Sequence, residues 1–398
     1  MRVLLAEDDA LSRLMLQRDL SKLGYQVSVA GNGREAWDQF AAHRFPLVIT
    51  DWMMPEMNGL DLIRRIRASP SDEYAYVILL TSRSEHVDLI DGMDAGADDF
   101  ITKPFQSDEL RVRLRAGRRV VDLEHALATR KREIESAHDR MKHDLDAAAE
   151  IQRAYLPAKA PEMQGVRFAW DFRPCDQLAG DMLNVVTLDD THVGFYVLDV
   201  SGHGVRSALL SVALTRLMTP DWRTTSILCE PSATASGFSL VGPADVANRL
   251  NRRLLADGYS GQYATLIYGL LDTATRTCRI VSAGHPQPAL VGPGTGPRLL
   301  DVSGFPIGLT DLSLEAGYEE IAVHLAEGER LYLYSDGVTE AKNDVGDELG
   351  TEGLLRILAK TRALPLDESV NAVAQHLDAW QAGRPVDDDV SILAVEFR

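Results

Sequence analysis

Four stretches of this chain interrupt an apolar run with a carboxylate and a small residue: LAGDMLN around Asp181, VLDVSGHG around Asp199, LYSDGVTEA around Asp336, and DDDVSIL at Asp387 to Asp389. Each reads as a strand that delivers an acid to its end, where glycine or serine permits a tight turn and brings backbone close to an ion. Oxygen donors of this kind suit hard dications. A single SDG would be an ordinary surface turn, whereas four such marks in order point to a metal centre. Asn184, three places after Asp181, offers an amide where a second acid would strengthen the pattern, so at this point it is open whether the site works.

A second set of chemical groups stands in the first third. Glu7 and Asp8 follow the run VLLA, Asp51 follows LVIT, Thr81 closes VILLT, and Lys103 precedes Pro104 just after DDFI, which holds Phe100. The runs VLLA, VSVA, LVIT and VILLT alternate with stretches of helical period such as LSRLMLQRDLSKLG. That alternation predicts parallel strands with crossover helices on both faces, a doubly wound α/β sheet. Ligands of such sheets gather outside the C-terminal strand ends. Glu7, Asp8 and Asp51 would meet there and suit Mg2+. Read from residue types alone, the same acids would equally cap helices or line turns.

Taken with their order and separations, these positions resemble the response-regulator receiver family. The resemblance implies a doubly wound five-stranded parallel sheet over residues 1–121 and phosphorylation of Asp51 by a sensor histidine kinase. It also implies Mg2+ held by Glu7, Asp8, Asp51 and the carbonyl of Met53. Lys103 would balance the charge of the acyl phosphate, Thr81 would follow the phosphoryl oxygens, and Phe100 would turn with it, a two-state switch driven by a new dianion.

Residues 107 to 155 contain no proline and only Gly117, in a run of Glu, Lys, Arg, Ala and Leu that favours helix. An apolar stripe recurs every seventh residue at Val120, Leu127, Ile134, Met141, Ala148 and Tyr155, beside a mixed one at Leu123, Arg130, Ala137, Asp144 and Ile151. The pattern predicts a long helical linker over 122–155 that pairs as a parallel homodimeric coiled coil. Its weak seam would be adjustable by a few kcal/mol, the scale of a receiver switch.

Beyond AAEIQRAYLP, the four acidic marks together with VSAGHPQPAL and GFPIGL resemble the SpoIIE or RsbU branch of the metal-dependent serine/threonine phosphatases, distant relatives of protein phosphatase 2C. The resemblance implies an α+β domain over 156–398, a β-sandwich flanked by helices, with two Mg2+ or Mn2+ ions. Asp199 would bridge the ions, assisted by the carbonyl of Val200. Asp336 and Asp388 would complete one shell and Asp181 would serve the other. Hydrolysis would be in line, by water, without a phosphoenzyme. His203 in SGHG would be available to protonate the leaving serine oxygen, and Asp389 is a further accessory position. Asn184 and Ala179 depart from the family's usual GGDxxD, which puts the affinity for the second ion in doubt. The substrate implied is a phosphoserine or phosphothreonine protein, a phosphorylated STAS-domain anti-sigma factor antagonist in partner-switching control. An alternative rests on Asn184 alone: a decayed phosphatase domain that serves as a receiver-gated adaptor for a sigma factor or an anti-adaptor.

The bulk numbers agree with several domains: 398 residues at 45% hydrophobic content can bury two or three cores. A formal net charge of −18 repels phosphate backbones, so no nucleic-acid partner is expected, and the basic RVRLRAGRR at 111–119 would face solvent or a protein. No apolar run approaches the ~20 residues of a membrane span. With the acidic turn after MRVLLAEDD, this makes a cytoplasmic, membrane-free protein the expectation. Cys175, Cys229 and Cys278 are too scattered for a disulfide framework and read as apolar fillers. The small-residue segment 224–243 reads as either a lid that contacts the protein substrate or a plain surface excursion, with the lid preferred.

Overall fold

The structure is a computed structural model, and it describes residues 1–70, 74–82, 86–221, 223, 226–233, 237–256, 261–309, 317–384 and 386–398. The chain forms two compact units, Met1–Met141 and Lys142–Arg398.

In the first unit strands and helices alternate as the periodicity predicts: β1 (Arg2–Ala6), α1 (Ala10–Lys22), β2 (Gln26–Ala30), α2 (Gly33–His43), β3 (Leu47–Asp51), α3 (Gly59–Ala68), β4 (Tyr76–Thr81), α4 (His86–Asp94), β5 (Asp99–Thr102) and α5 (Ser107–Arg153). The five strands are all parallel in the order β2-β1-β3-β4-β5. That order reverses between β1 and β3, which sets the ligand crevice of a doubly wound sheet at their C-terminal ends. Residues Val3–Ala6, Leu47–Thr50 and Tyr76–Thr81 are buried along their whole length, as central strands covered on both faces must be. The helices that follow the first three strands share a start signal. Asp9, Asn32 and Asn58 accept from the backbone N–H of Ser12, Glu35 and Asp61 at 2.7, 2.7 and 2.8 Å, satisfying donors that a helix leaves unpaired.

Helix α5 is 47 residues long, so the last receiver helix and the linker are a single element without a break near residue 121. Along it Leu123, Leu127, Ile134, Met141 and Ile151 are each 58–65% exposed. Within the basic segment, Arg111, Arg113 and Arg118 pair with Asp108, Asp99 and Asp122. No described helix is long and apolar enough to cross a membrane.

The second unit is a four-layer sandwich. It continues with β6 (Val166–Arg173), β7 (Met182–Thr187), β8 (His192–Val200), α6 (Val205–Leu217), β9 (Cys229–Pro231), β10 (Phe238–Leu240), α7 (Pro243–Ala256), β11 (Ala264–Asp272), β12 (Thr277–Ala283), β13 (Ala289–Val291), β14 (Arg298–Leu299), β15 (Glu320–His324), β16 (Arg330–Tyr334), α8 (Asp336–Thr339), α9 (Gly350–Thr361), α10 (Leu366–Gln381) and β17 (Val390–Phe397). Two antiparallel sheets, β15-β12-β11-β8-β7 and β14-β13-β16-β17-β6, stack face to face. The period-two alternation of strand side chains sorts their residues. Val193, Phe195 and Val197 of β8 point between the sheets toward Leu331, Leu333, Leu393 and Val395, while Tyr196, Leu198 and Val200 point to the layer of α6 and α7. Tyr332, Tyr334, Ile392 and Ala394 cover the other sheet's outer face beneath α9 and α10.

The segment expected as a lid includes the β9–β10 hairpin. Its Leu228, Cys229 and Val241 are buried in the α6–α7 core, and residues 224–225 and 234–236 lie outside the described ones. Cys229 and Cys278 are buried fillers, whereas Cys175 is half-buried, and all three thiols are free.

Phe195 is fully buried between the sheets and lies across its strand partner Gly269, where a Cβ would stand 2.4 Å from the ring. Phe195→Ala should lower the unfolding free energy by about 3–5 kcal/mol, seen as a fall in the urea midpoint with an unchanged slope. A loss below about 1 kcal/mol would contradict this packing.

Candidate functional site

The first site lies at the switch point of the parallel sheet. Glu7 and Asp8 follow β1 and Asp51 ends β3, and their carboxylate oxygens all lie within 4.8 Å of one another. Lys103, just past β5, donates from Nζ to Glu7 Oε2 at 2.7 Å and to Asp51 Oδ2 at 2.9 Å. The other Asp51 oxygen accepts from Trp52 N–H at 2.7 Å. Burial raises the pKa of Glu7, the Lys103 hydrogen bond opposes that rise, and the Asp51 charge adds to it. Burial works against the Lys103 ammonium, but its bonds to Glu7 and Asp51 outweigh burial and raise its pKa. Thr81 is fully buried at the end of β4, one residue beyond Leu80, the strand partner of Asp51. Phe100 on β5 packs half-buried on the core that holds Trp52. Met53 follows with its side chain exposed.

The second site lies at one end of the sandwich, where each sheet contributes two acids. Asp181 stands just before β7 and Asp199 near the end of β8, both in the odd register that points between the sheets. Asp336 opens α8 after β16, and Asp388 precedes β17. Two glycines permit the close approaches. A Cβ on Gly180 would stand 2.8 Å from the Val200 carbonyl oxygen, and one on Gly337 would stand 2.1 Å from the Asp389 carbonyl oxygen.

The acids strain one another electrostatically. Burial raises the pKa of Asp181 well above its ordinary value, the Asp199 charge raises it further, and the hydroxyls of Ser391 and Ser335 oppose. Asp181 Oδ2 is buried without a hydrogen-bond partner. Asp199 is pushed up to about 7, by burial first and then by the charges of Asp336 and Asp388. Asp388, exposed at the rim, is also raised, by burial and by Asp336, while the charge of His203 opposes the rise. His203 is exposed in its glycine turn, at the side of the site where that charge is felt. A buried, unpartnered carboxylate oxygen among like charges is a donor set that fits a hard dication. Among the described residues, Asp181, Asp199 and Asp336 do not form a set as compact as that of the first site, while Cys175, Asp388 and Asp389 do.

Asp389 and Asn184 take other roles. The Asp389 carboxylate accepts from Cys175 N–H at 2.7 Å, from Gly180 N–H at 2.7 Å and from Asp181 N–H at 3.3 Å, so it secures the loop that carries Asp181. Asn184 is three residues along a strand from Asp181 and therefore faces the opposite side. Its Nδ2 donates to the Tyr155 carbonyl at 3.0 Å and its Oδ1 accepts from Val185 N–H at 2.8 Å. The structure thus brings Asp181, Asp199, Val200, Asp336, Asp388 and Asp389 to one end, with His203 at the rim, and leaves Asn184 outside.

Residues 189–398 match the family model described as Stage II sporulation protein E (SpoIIE), and residues 3–115 match the response regulator receiver domain model. The chain belongs to the SpoIIE family. Its sandwich is similar in fold to the solved SiaA-PP2C domain of Pseudomonas aeruginosa, at a TM-score of 0.54 and 22% identity over 66% of this chain and 99% of that one. The receiver is 42% identical over 115 residues to the response regulator MprA of Mycolicibacterium vanbaalenii, covering 29% of this chain and 49% of MprA. It is 40% identical over 117 residues to YkoG of Bacillus subtilis, described as an uncharacterized transcriptional regulatory protein, covering 29% of this chain and 50% of YkoG. The chain spans about half the length of these curated relatives. It therefore joins a receiver domain by a long helix to a SpoIIE-type domain whose fold is similar to that of the SiaA-PP2C domain.

One residue of the site has no signal in the sequence. Gln152, near the end of α5 and 4% exposed, donates from Nε2 to the Ala179 carbonyl at 2.7 Å and accepts at Oε1 from Ala179 N–H at 3.1 Å. With Ala149, Leu178 and Ala208 packed together beside these bonds, the helix end holds the Asp181 loop at Ala179, while Asp389 holds it at Gly180.

The raised carboxyls carry a sign for stability. Without metal, folded Asp199 keeps its proton up to about 7 against an ordinary 3.8, and Asp181 moves the same way. The unfolded chain releases both protons near 3.8, so between there and about 7 the folded state binds more protons and loses stability as pH rises. In chelator, Tm should fall from about pH 5 to about pH 8, and Asp199→Asn should flatten the fall. A Tm that rises over that range in chelator would contradict the crowding of these charges.

Proposed function

We propose that this chain is a two-component output enzyme in which phosphorylation of Asp51 controls a metal-dependent protein serine/threonine phosphatase. The observation that carries the reading is the convergence of Asp181, Asp199, Asp336 and Asp388 from both sheets, with the buried Asp181 Oδ2 lacking a partner. In this reading Asp199 lies between two Mg2+ or Mn2+ positions with the Val200 carbonyl beside it. Asp336 and Asp388 serve one position and Asp181 the other. Bound dications would supply acidified water and charge neutralisation for phosphoryl transfer. Asp389 and Gln152 hold the Asp181 carboxylate in place, and His203 at the rim is placed to hand a proton to a leaving serine oxygen. The adaptor alternative has little left to support it, because Asn184 is engaged on the far face of its strand.

The receiver uses Glu7, Asp8, Asp51 and the Met53 carbonyl for its own Mg2+. Lys103 releases part of its hold on Asp51 to neutralise the phosphoryl group, and Thr81 and Phe100 follow. A sensor histidine kinase supplies the phosphoryl group. Helix α5 carries the change: its exposed apolar stripe pairs with a second copy as a coiled coil, and Gln152 at its end acts on the Asp181 loop. The substrate is a phosphorylated STAS-domain anti-sigma factor antagonist, and the setting is the cytoplasm.

Phosphate release from a phosphoserine protein, measured with Mn2+ and with Mg2+, tests the enzyme. Asp199→Ala should lower turnover by about 10²-fold or more. Loading Asp51 with a small phosphodonor should change the rate, and Asp51→Asn should abolish that response. A folded protein with no turnover under either ion sinks the proposal. Gln152→Leu, which keeps the helix, should shrink the difference between loaded and unloaded rates while leaving the phosphorylation rate of Asp51 unchanged.

A further inference from the structure

The motif VSAGHPQPAL holds a histidine that no step above uses. His285 is 6% exposed and lies in the connection from β12 in one sheet to β13 in the other. Its Nδ1 lies 2.7 Å from Thr265 Oγ1. Thr265 is the direct strand partner of Asp199, and directly opposed residues put their side chains on one face with Cβ atoms ~5 Å apart. On the other side of the ring, Nε2 is buried without a hydrogen-bond partner, and the main chain of Tyr334 lies close enough to the ring to oppose part of the effect of burial on it. Tyr334 ends β16, two residues before Asp336. One imidazole therefore stands between the strand of Asp199 in one sheet and the strand that leads to Asp336 in the other.

The ring is held where it stands. Ser282 Oγ donates to the His285 carbonyl at 3.0 Å, and Gly284 N–H donates to the Gly304 carbonyl at 2.9 Å. Gly284 has φ +71°, and a Cβ there would meet Pro306 at 2.5 Å, so GFPIGL packs directly on AGH. Burial pushes the imidazole pKa down to about 3, so the ring stays neutral with one N–H. The Thr265 hydroxyl can donate to Nδ1 or accept from it according to the tautomer, and either way it ties the ring to β11.

We propose that His285, through Thr265 and the Tyr334 main chain, is a positioning residue that sets the spacing of Asp199 and Asp336 and hence the affinity of the centre for the dication they share. The inference rests on the metal-dependent reading above. Side chains that orient ligands from behind typically change metal affinity by 10–100-fold when lost.

The test is titration of Mn2+ into metal-free full-length protein, following free Mn2+ by its paramagnetic resonance signal, with Tm in chelator measured in parallel. Thr265→Val keeps the shape and removes the hydroxyl, and should weaken Mn2+ binding by about tenfold. Thr265→Ser should restore it, and His285→Leu should weaken it at least as much as Thr265→Val. If Thr265→Val lowers Tm but binds Mn2+ within about twofold of wild type, His285 is core filling and the proposal is overturned. Should Thr265→Val not fold, His285→Leu, which removes both ring nitrogens, decides the matter by the same comparison. Wild type that binds no Mn2+ overturns this inference together with the proposed centre, whereas wild type that binds while both variants match it overturns this inference alone.

Discussion

Carboxylates that share a buried pocket repel one another, and the second unit is organised around holding them together against that repulsion. Asp181 and Asp199 arrive on one sheet and Asp336 and Asp388 on the other, so no local segment can keep them close. The apolar layer of Phe195, Val197, Leu333 and Leu393 between the sheets supplies the force that does, since burial of that surface is lost if the sheets part. The polar fastenings lie at the end where the charges are. Asp389 grips the Asp181 loop from β17, and Gln152 grips it from the helix. The raised carboxyl pKa values record burial first and then the charge repulsion that the packing sustains.

Both folds and most of the acids are legible in the sequence, for a common reason. A carboxylate set beside an apolar run and a small residue leaves a local mark, and Asp181, Asp199 and Asp336 all carry it, while Asp51 is marked by the apolar run that it closes. Partners that meet across the fold leave none. Gln152 resembles every other polar residue of a charged helix, because the backbone it binds lies 27 residues away. Asn184 shows how spacing misleads without a period. Three residues on a helix share a face, but three on a strand do not, so the amide that looked like a weakened ligand points away from the centre. The terminal acidic run is ambiguous in sequence for another reason. Chemically identical neighbours divide their work only once one of them, Asp389, meets three backbone N–H groups.

The seven-residue stripe of the linker is visible in both sequence and structure, but the domain boundary drawn from it is not. Helix α5 runs over 47 residues, and the two compact units divide within it. Helix propensity does not stop at a functional boundary, since Ala, Glu, Lys, Arg and Leu favour helix whatever lies at either end. The exposed Leu127, Ile134 and Met141 along this helix are apolar surface that an isolated chain leaves in water.

The hydrogen bonds from Gly180 and Cys175 to Asp389 connect residues 209 and 214 positions apart. Contacts so distant in the chain close late, after the intervening strands have formed. During synthesis the loop bearing Asp181 is made long before the residue that secures it. A nascent chain that has already completed its receiver, its long helix and most of both sheets still lacks the anchor for the Asp181 loop. The acidic end of the sandwich is thus among the last features of the fold to mature.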